Sequence, residues 1–231
     1  MLQAISLSKR YQSHLALHQL NLTVNAGEVY CLLGQNGAGK TTTINLLLGF
    51  MEPSSGKILI DNQEVSAADE LRRKHIAYIP EVVMLYGELT AIENLDYFSK
   101  LAGFSYQKQE LVAYLLQCGL QTPAHQQRLS GFSKGMRQKV GIAIAIAKNA
   151  KIILMDEPTS GLDPKATAEF TDLVKQLAAE GRSVLMATHD IFNAVNIGTH
   201  IGIMKQGELI HTLKASDITA SDLQELYLQT I

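Results

Sequence analysis

Apolar and polar residues alternate over residues 2–7 and again over 20–24, the pattern of strands with one buried face. Asn25-Ala26-Gly27 reads as a turn, and Val29-Tyr30-Cys31-Leu32-Leu33 follows as an apolar strand. Residues 42–48 read as a helix that stops near Gly49, and Pro53-Ser54-Ser55-Gly56 as a turn. Strands are expected at 57–60, with a hairpin at Asp61-Asn62, and at 76–79, ended by Pro80. From about Thr90 to Ala147 the spacing becomes helical: Ile92, Leu95, Phe98 and Leu101 recur at helical intervals, as do Leu111, Leu115 and Cys118. This predicts a mostly helical insert bounded by residues 85 and 150. Lys151-Ile152-Ile153-Leu154-Met155 returns as a strand buried on both faces. A helix over 164–180, a buried strand over 183–188, short strands at 200–204 and 209–213 around Gln206-Gly207, and a tail helix at 221–228 complete the chain. Strands alternating with helices predict an α/β sandwich.

Bulk properties narrow the class. A chain of 231 residues is one large domain, or a core with a subdomain, and it needs no disulfide staples. The net charge of −2, with both signs mixed along the chain, leaves no basic face for nucleic acid. Cys31 and Cys118 lie far apart in apolar surroundings, as buried reduced thiols of a cytosolic protein would. No signal-peptide pattern opens the chain. The longest strongly apolar stretch, 140–147, falls well short of the roughly 20 residues that span a bilayer, so the chain is expected to be soluble and able to dock on a membrane protein.

The chemistry begins behind the 29–33 strand. Gly34-Gln35-Asn36-Gly37-Ala38-Gly39-Lys40-Thr41 fills the pattern G-x-x-x-x-G-K-[ST], between a strand and a helix that opens with Thr42. Glycines there let backbone N–H groups approach an anion, and the following helix presents its positive end to it. Lys40 adds charge near the terminal phosphates, and the Thr41 hydroxyl can ligate Mg2+. Asp156 and Glu157 close the strand that begins at Ile152, at the sheet edge where α/β folds bind ligands. An Asp there can hold Mg2+ through water, and the neighbouring Glu can face a water that attacks the γ-phosphate.

Together these segments make the chain resemble the nucleotide-binding subunit of an ATP-binding cassette (ABC) transporter along nearly its whole length. The cradle resembles the Walker A motif and residues 152–157 resemble Walker B. Ser160-Gly161-Leu162-Asp163 resembles the D-loop, and Thr188-His189-Asp190 the switch-histidine loop. Phe132-Ser133-Lys134-Gly135-Met136-Arg137-Gln138 resembles the signature motif. The resemblance implies a P-loop NTPase core with an N-terminal antiparallel β-subdomain and an inserted α-helical subdomain. The core and β-subdomain would occupy 1–84 and 151–231, and the helical part 85–150. Two motifs depart from the family, the signature, with Phe132 and Met136 in place of its Leu and Gln, and the Q-loop. The signature reads Leu-Ser-Gly-Gly-Gln there, so Lys134 replaces a glycine; Glu81 replaces the glutamine of the Q-loop. These variants, with Tyr78-Ile79-Pro80-Glu81, are similar to the exporter-type subgroup that handles drugs, polysaccharides or ions.

The resemblance further implies ATP and Mg2+ as ligands. Gly34, Asn36, Gly37, Ala38, Gly39, Lys40, Thr41 and Thr42 would hold the phosphates, and Tyr11 would stack on adenine. Thr41 and Asp156, with Glu81, would hold the metal. Glu157 would orient and deprotonate water, with His189 steadying the γ-phosphate. Ser133 and Gly135, with Asp163, would act at the nucleotide of a second, identical copy, so that ATP joins two chains. Integral membrane subunits would dock in a groove beside Glu81 and the helical insert, placing the chain at the cytoplasmic face of the membrane. Lys134 reads either as a solvated charge or as a phosphate contact, and the six histidines other than His189, His14 among them, as surface or packing residues. An alternative within the same fold is an ATP-dependent clamp in cell division or DNA maintenance. A small-molecule kinase would use the same cradle without a signature motif.

Overall fold

In the computed structural model, which describes residues 1–231, the strands sort into two sheets by the pattern they carry. The alternating segments β1 (Leu2–Tyr11) and β2 (His14–Val24) pair antiparallel. With β4 (Ser55–Ile60) and β5 (Gln63–Glu64) they form a four-stranded sheet in the order β2-β1-β4-β5. The continuously apolar segments β3 (Val29–Leu33), β7 (Ile152–Asp156) and β8 (Ser183–Thr188) fill the middle of a second sheet. There β6 (Ile76–Ile79) forms one edge, and β9 (His200–Lys205) and β10 (Glu208–Lys214) the other, in the order β10-β9-β3-β8-β7-β6. All these pairs are parallel except β9 with β10. Every residue of β3 and β8 is buried, as expected of parallel strands covered on both faces.

Side chains of β3 alternate between two apolar clusters, because successive Cβ atoms point to opposite faces. Val29, Cys31 and Leu33 join the larger cluster, and Tyr30 and Leu32 the one that also holds Leu2, Leu7 and Leu17 of the antiparallel sheet. The helices α3 (Ala91–Leu101), α4 (Lys108–Gln117) and α5 (Lys134–Ala147) lie between β6 and β7 in the chain. Their apolar residues, among them Leu95, Leu115 and Val140, belong to the larger cluster together with Met155 and Met186. Asn94, fully buried in α3, fixes the loop before that helix: its Nδ2 donates to the carbonyls of Tyr86, Leu89 and Thr90, and its Oδ1 accepts from Tyr86 N–H.

Caps set most helix starts. Thr90 and Glu93 form a reciprocal capping box on α3. Ser133 caps α5, Asp163 caps α6 (Pro164–Ala179), and Thr219 caps α8 (Ala220–Thr230). Two further helices fall outside the sequence reading: α2 (Glu70–His75) and α7 (Ile191–Ile197). Each is too short to show a helical period, and only the capping residues Asp69 and Asp190 announce them. No helix is long and apolar enough to cross a membrane.

Candidate nucleotide site

The segment 34–39 leaves the C-terminal end of β3 and enters α1 (Lys40–Leu48), two residues earlier than the sequence pattern suggested. A Cβ on Gly34 would stand 2.8 Å from both Ala38 Cβ and the Met204 carbonyl oxygen, so the loop can pass only as glycine. Gly39 precedes α1 at φ 107, a left-handed conformation that favours glycine. Unlike α3, α5 and α6, α1 has no side-chain cap, which leaves its first N–H groups directed at whatever lies before them. The far end of α1 is held by Arg72 of α2. This buried guanidinium donates to the carbonyls of Leu46, Leu47 and Val65.

Lys40 is almost wholly buried, and its ammonium donates to the Gly34 carbonyl at 2.5 Å and the Gln35 carbonyl at 3.3 Å. It stands 3.8 Å from Glu157 Oε1. The Thr41 hydroxyl donates to Asp156 Oδ2 at 3.1 Å, tying the start of α1 to the end of β7. Burial pushes the Asp156 carboxyl above the usual carboxylate range; Glu157 and Glu81 add to this, while Thr41 and Lys40 pull it down. Glu157 sits at φ 44, an uncommon conformation for a residue with a side chain. Its N–H donates to the Ala187 carbonyl of β8 at 2.9 Å, and its Oε2 lies 2.8 Å from His189 Nδ1.

Tyr11, His14, Gln35, Asn36, Gly37, Gly39, Lys40, Thr41, Thr42, Glu81, Asp156 and Glu157 line one cleft of about 400 Å³. Gly34 and Ala38 are not part of its lining, and Ala38 is buried. The cleft therefore gathers, from four stretches of chain, most of the residues the sequence singled out. Its oxygen donors, the Thr41 hydroxyl with the Asp156 and Glu81 carboxylates, suit Mg2+, which takes few protein ligands and completes its shell with phosphate and water. His189 lines a second hollow, of about 430 Å³, and Glu157 is the wall the two share. Ser133, Gly135 and Asp163 line neither. The Ser133 hydroxyl accepts from Met136 N–H, and Asp163 accepts from Ala166 N–H.

Two positions gain contacts that the sequence did not suggest. The Lys134 ammonium donates to the Ser160 carbonyl at 2.5 Å and lies 3.8 Å from Glu81. His14 is exposed, as read, and it also forms part of the cleft wall. It belongs there because β1 and β2 turn tightly at Gln12-Ser13 and pair Tyr11 directly with His14. The proximity of His14 to Tyr11 in sequence was the available sign. Tyr11 itself is half exposed, anchored through its hydroxyl to Met51 Sδ and packed beside the Lys9 ammonium, 5.4 Å from its ring centre.

Residues 17–160 match the family model described as ABC transporter. The chain belongs to the ABC transporter family. It is an ATP-binding cassette that hydrolyses ATP, and its P-loop and sheet arrangement are those of the family. The chain is 35% identical over 215 residues to the bacitracin transport ATP-binding protein BcrA of Bacillus licheniformis, covering 92% of this chain and 69% of that protein. It is 32% identical over 228 residues to the Nod factor export ATP-binding protein I of Burkholderia orbicola, covering 96% of this chain and 75% of that protein. A solved dimeric structure of the ATP-binding cassette MJ0796, in a post-hydrolysis state bound to ADP and Pi, matches with a TM-score of 0.81 at 29% identity. That match covers 93% of this chain and 99% of that one.

Proposed function

We propose that two copies of this chain close on ATP and Mg2+ and drive outward transport through separate membrane-spanning subunits. The observation that carries this reading is the split of the site: cradle, Asp156 and Glu157 share one cleft, while Ser133, Gly135 and Asp163 stand outside it. A signature segment that no nucleotide in its own chain's cleft would touch is free to cover a partner's. MJ0796 is described as a dimer, and two relatives are named for bacitracin transport and for Nod factor export.

In this reading Lys40 and the cradle amides neutralise the phosphates, and Thr41 and Asp156 would hold a Mg2+ that would supply further positive charge; charge neutralisation is most of what phosphoryl transfer requires. Glu157 takes the proton of the attacking water and His189 steadies the transferred group; this acid–base help is worth about 10²–10⁴ in rate. Tyr11 packs against the base. The helical stretch 85–150 acts as the unit that meets the membrane subunits. Its groove of about 890 Å³, lined by Leu71, Tyr78, Phe98, Leu101, Phe104 and Ile144 among others, offers an apolar seat. The exposed Val82, Met84 and Tyr86 extend apolar surface along the segment after Glu81.

The test is Glu157→Gln. Light scattering should show this variant as a dimer with ATP and Mg2+ and as a monomer without them, while phosphate release falls at least about a hundredfold. Purified in mild detergent with ATP, the trapped dimer should retain integral membrane subunits. A variant that hydrolyses ATP normally, or remains monomeric with ATP at high concentration, refutes the reading.

A further inference from the structure

Two of the positions at which the chain departs from the family's motifs, Glu81 and Lys134, meet in space. Glu81 follows β6 and Lys134 opens α5, yet Lys134 Nζ lies 3.8 Å from Glu81 Oε1. The same ammonium donates to the carbonyl of Ser160, between β7 and α6. One turn further along α5, buried Gln138 donates to the Pro158 carbonyl. The start of α5 is thus fastened to the segment directly behind Glu157, with Glu81 on its other side.

Charge makes the pairing matter. The cleft wall carries three carboxylates, Glu81, Asp156 and Glu157. The cation inside it, Lys40, is already engaged by two carbonyls and by Glu157. Lys134 is the cation within 4 Å of Glu81. A neutral glutamine would need no such neighbour, and a glycine in place of Lys134 could not supply one.

We propose that Glu81 and Lys134 are one compensated exchange, in which Lys134 is a positioning residue that holds the Glu81 carboxylate at the edge of the cleft facing the metal and offsets its charge. A carboxylate in place of an amide would then be available at Glu81 to a metal bound in the cleft. The Ser160 carbonyl fixes Lys134 in turn, so any displacement of the segment behind Glu157 is felt at Glu81.

The experiment compares the wild type, Lys134→Met, Glu81→Gln, the double variant and Lys134→Arg. Denaturant unfolding without nucleotide should show the Met and Gln replacements coupled by about two- to fivefold in equilibrium constant, as for a half-exposed ion pair, with the coupling shrinking in high salt. In ATP hydrolysis, Lys134→Met should lower kcat by about two- to fivefold with KM little changed, and Lys134→Arg should restore it. Placed on Glu81→Gln, Lys134→Met should cost nothing more. Additive unfolding effects, or an equal kcat loss in both backgrounds, overturn the pairing and leave Lys134 as a prop for the Ser160 carbonyl alone. The inference relies on the Mg2+ assignment only through kcat; the unfolding cycle judges the pair even if that assignment fails.

Discussion

Glu169 shows how far a single charged contact carries in this molecule. It accepts a 2.6 Å hydrogen bond from Lys139, which holds its carboxyl below the usual range. A carboxyl with a lower pKa folded than unfolded stabilises the fold above the unfolded value, and loses that contribution as pH falls through the folded value. Glu169→Gln should therefore lower Tm at pH 7 by no more than about 1–3 °C, and the difference should vanish below about pH 3, which thermal scans across pH would show. The two thiols offer a second check. Burial pushes Cys118 up to about 12 and raises Cys31 further, so iodoacetamide at pH 8 should label neither until denaturant is added. The residues of Walker A and Walker B were legible because their chemistry is written in consecutive positions next to an apolar run. The partner of Lys134 was not, because Glu81 and Ser160 are each distant in the chain and only packing joins them.

Among the elements, α1 depends on a neighbour that its own motif does not announce. Arg72, in the short helix α2, closes the C-terminal carbonyls of α1 from a position with 3% exposure. Replacing it with Met would leave buried acceptors unpaired, at about 1–3 kcal/mol each before relaxation. Arg72→Met should lower the unfolding midpoint and weaken binding of a fluorescent ATP analogue, because α1 seats Lys40 and Thr41; unchanged affinity would show that α1 keeps its place without this cap. The helices α3 and α4 were readable from apolar spacing, and α6 from its bounds at Pro164 and Gly181. By contrast, α2 and α7 were not, since six and seven residues complete too few turns to display a period.

For the molecule as a whole, the strand pattern distinguished the two sheets: alternation marked the antiparallel one, and unbroken apolar runs the parallel one. It could not say how the sheets meet, because that depends on which face of β3 each side chain takes. The groove between α2, α3 and α5 carries a prediction at this scale. Leu101 is 66% exposed on its rim, with Phe98 beside it in the lining. Phe98→Glu with Leu101→Glu should leave ATP hydrolysis by the isolated chain within about twofold, while abolishing retention of membrane subunits in detergent. Retained subunits would place docking elsewhere.

The sheet neighbours β6 and β7 lie side by side, yet about seventy residues of chain separate their facing ends. An excursion that departs and rejoins through adjacent strands can be cut out and regrafted from a cousin without rethreading anything else. Selection could thus refit the face toward a new cargo route while the cradle, Asp156 and Glu157 stay as they were, and a laboratory chimera with both junctions in that pair of strands would exploit the same freedom if the graft kept Glu81, Ser133 and Gly135.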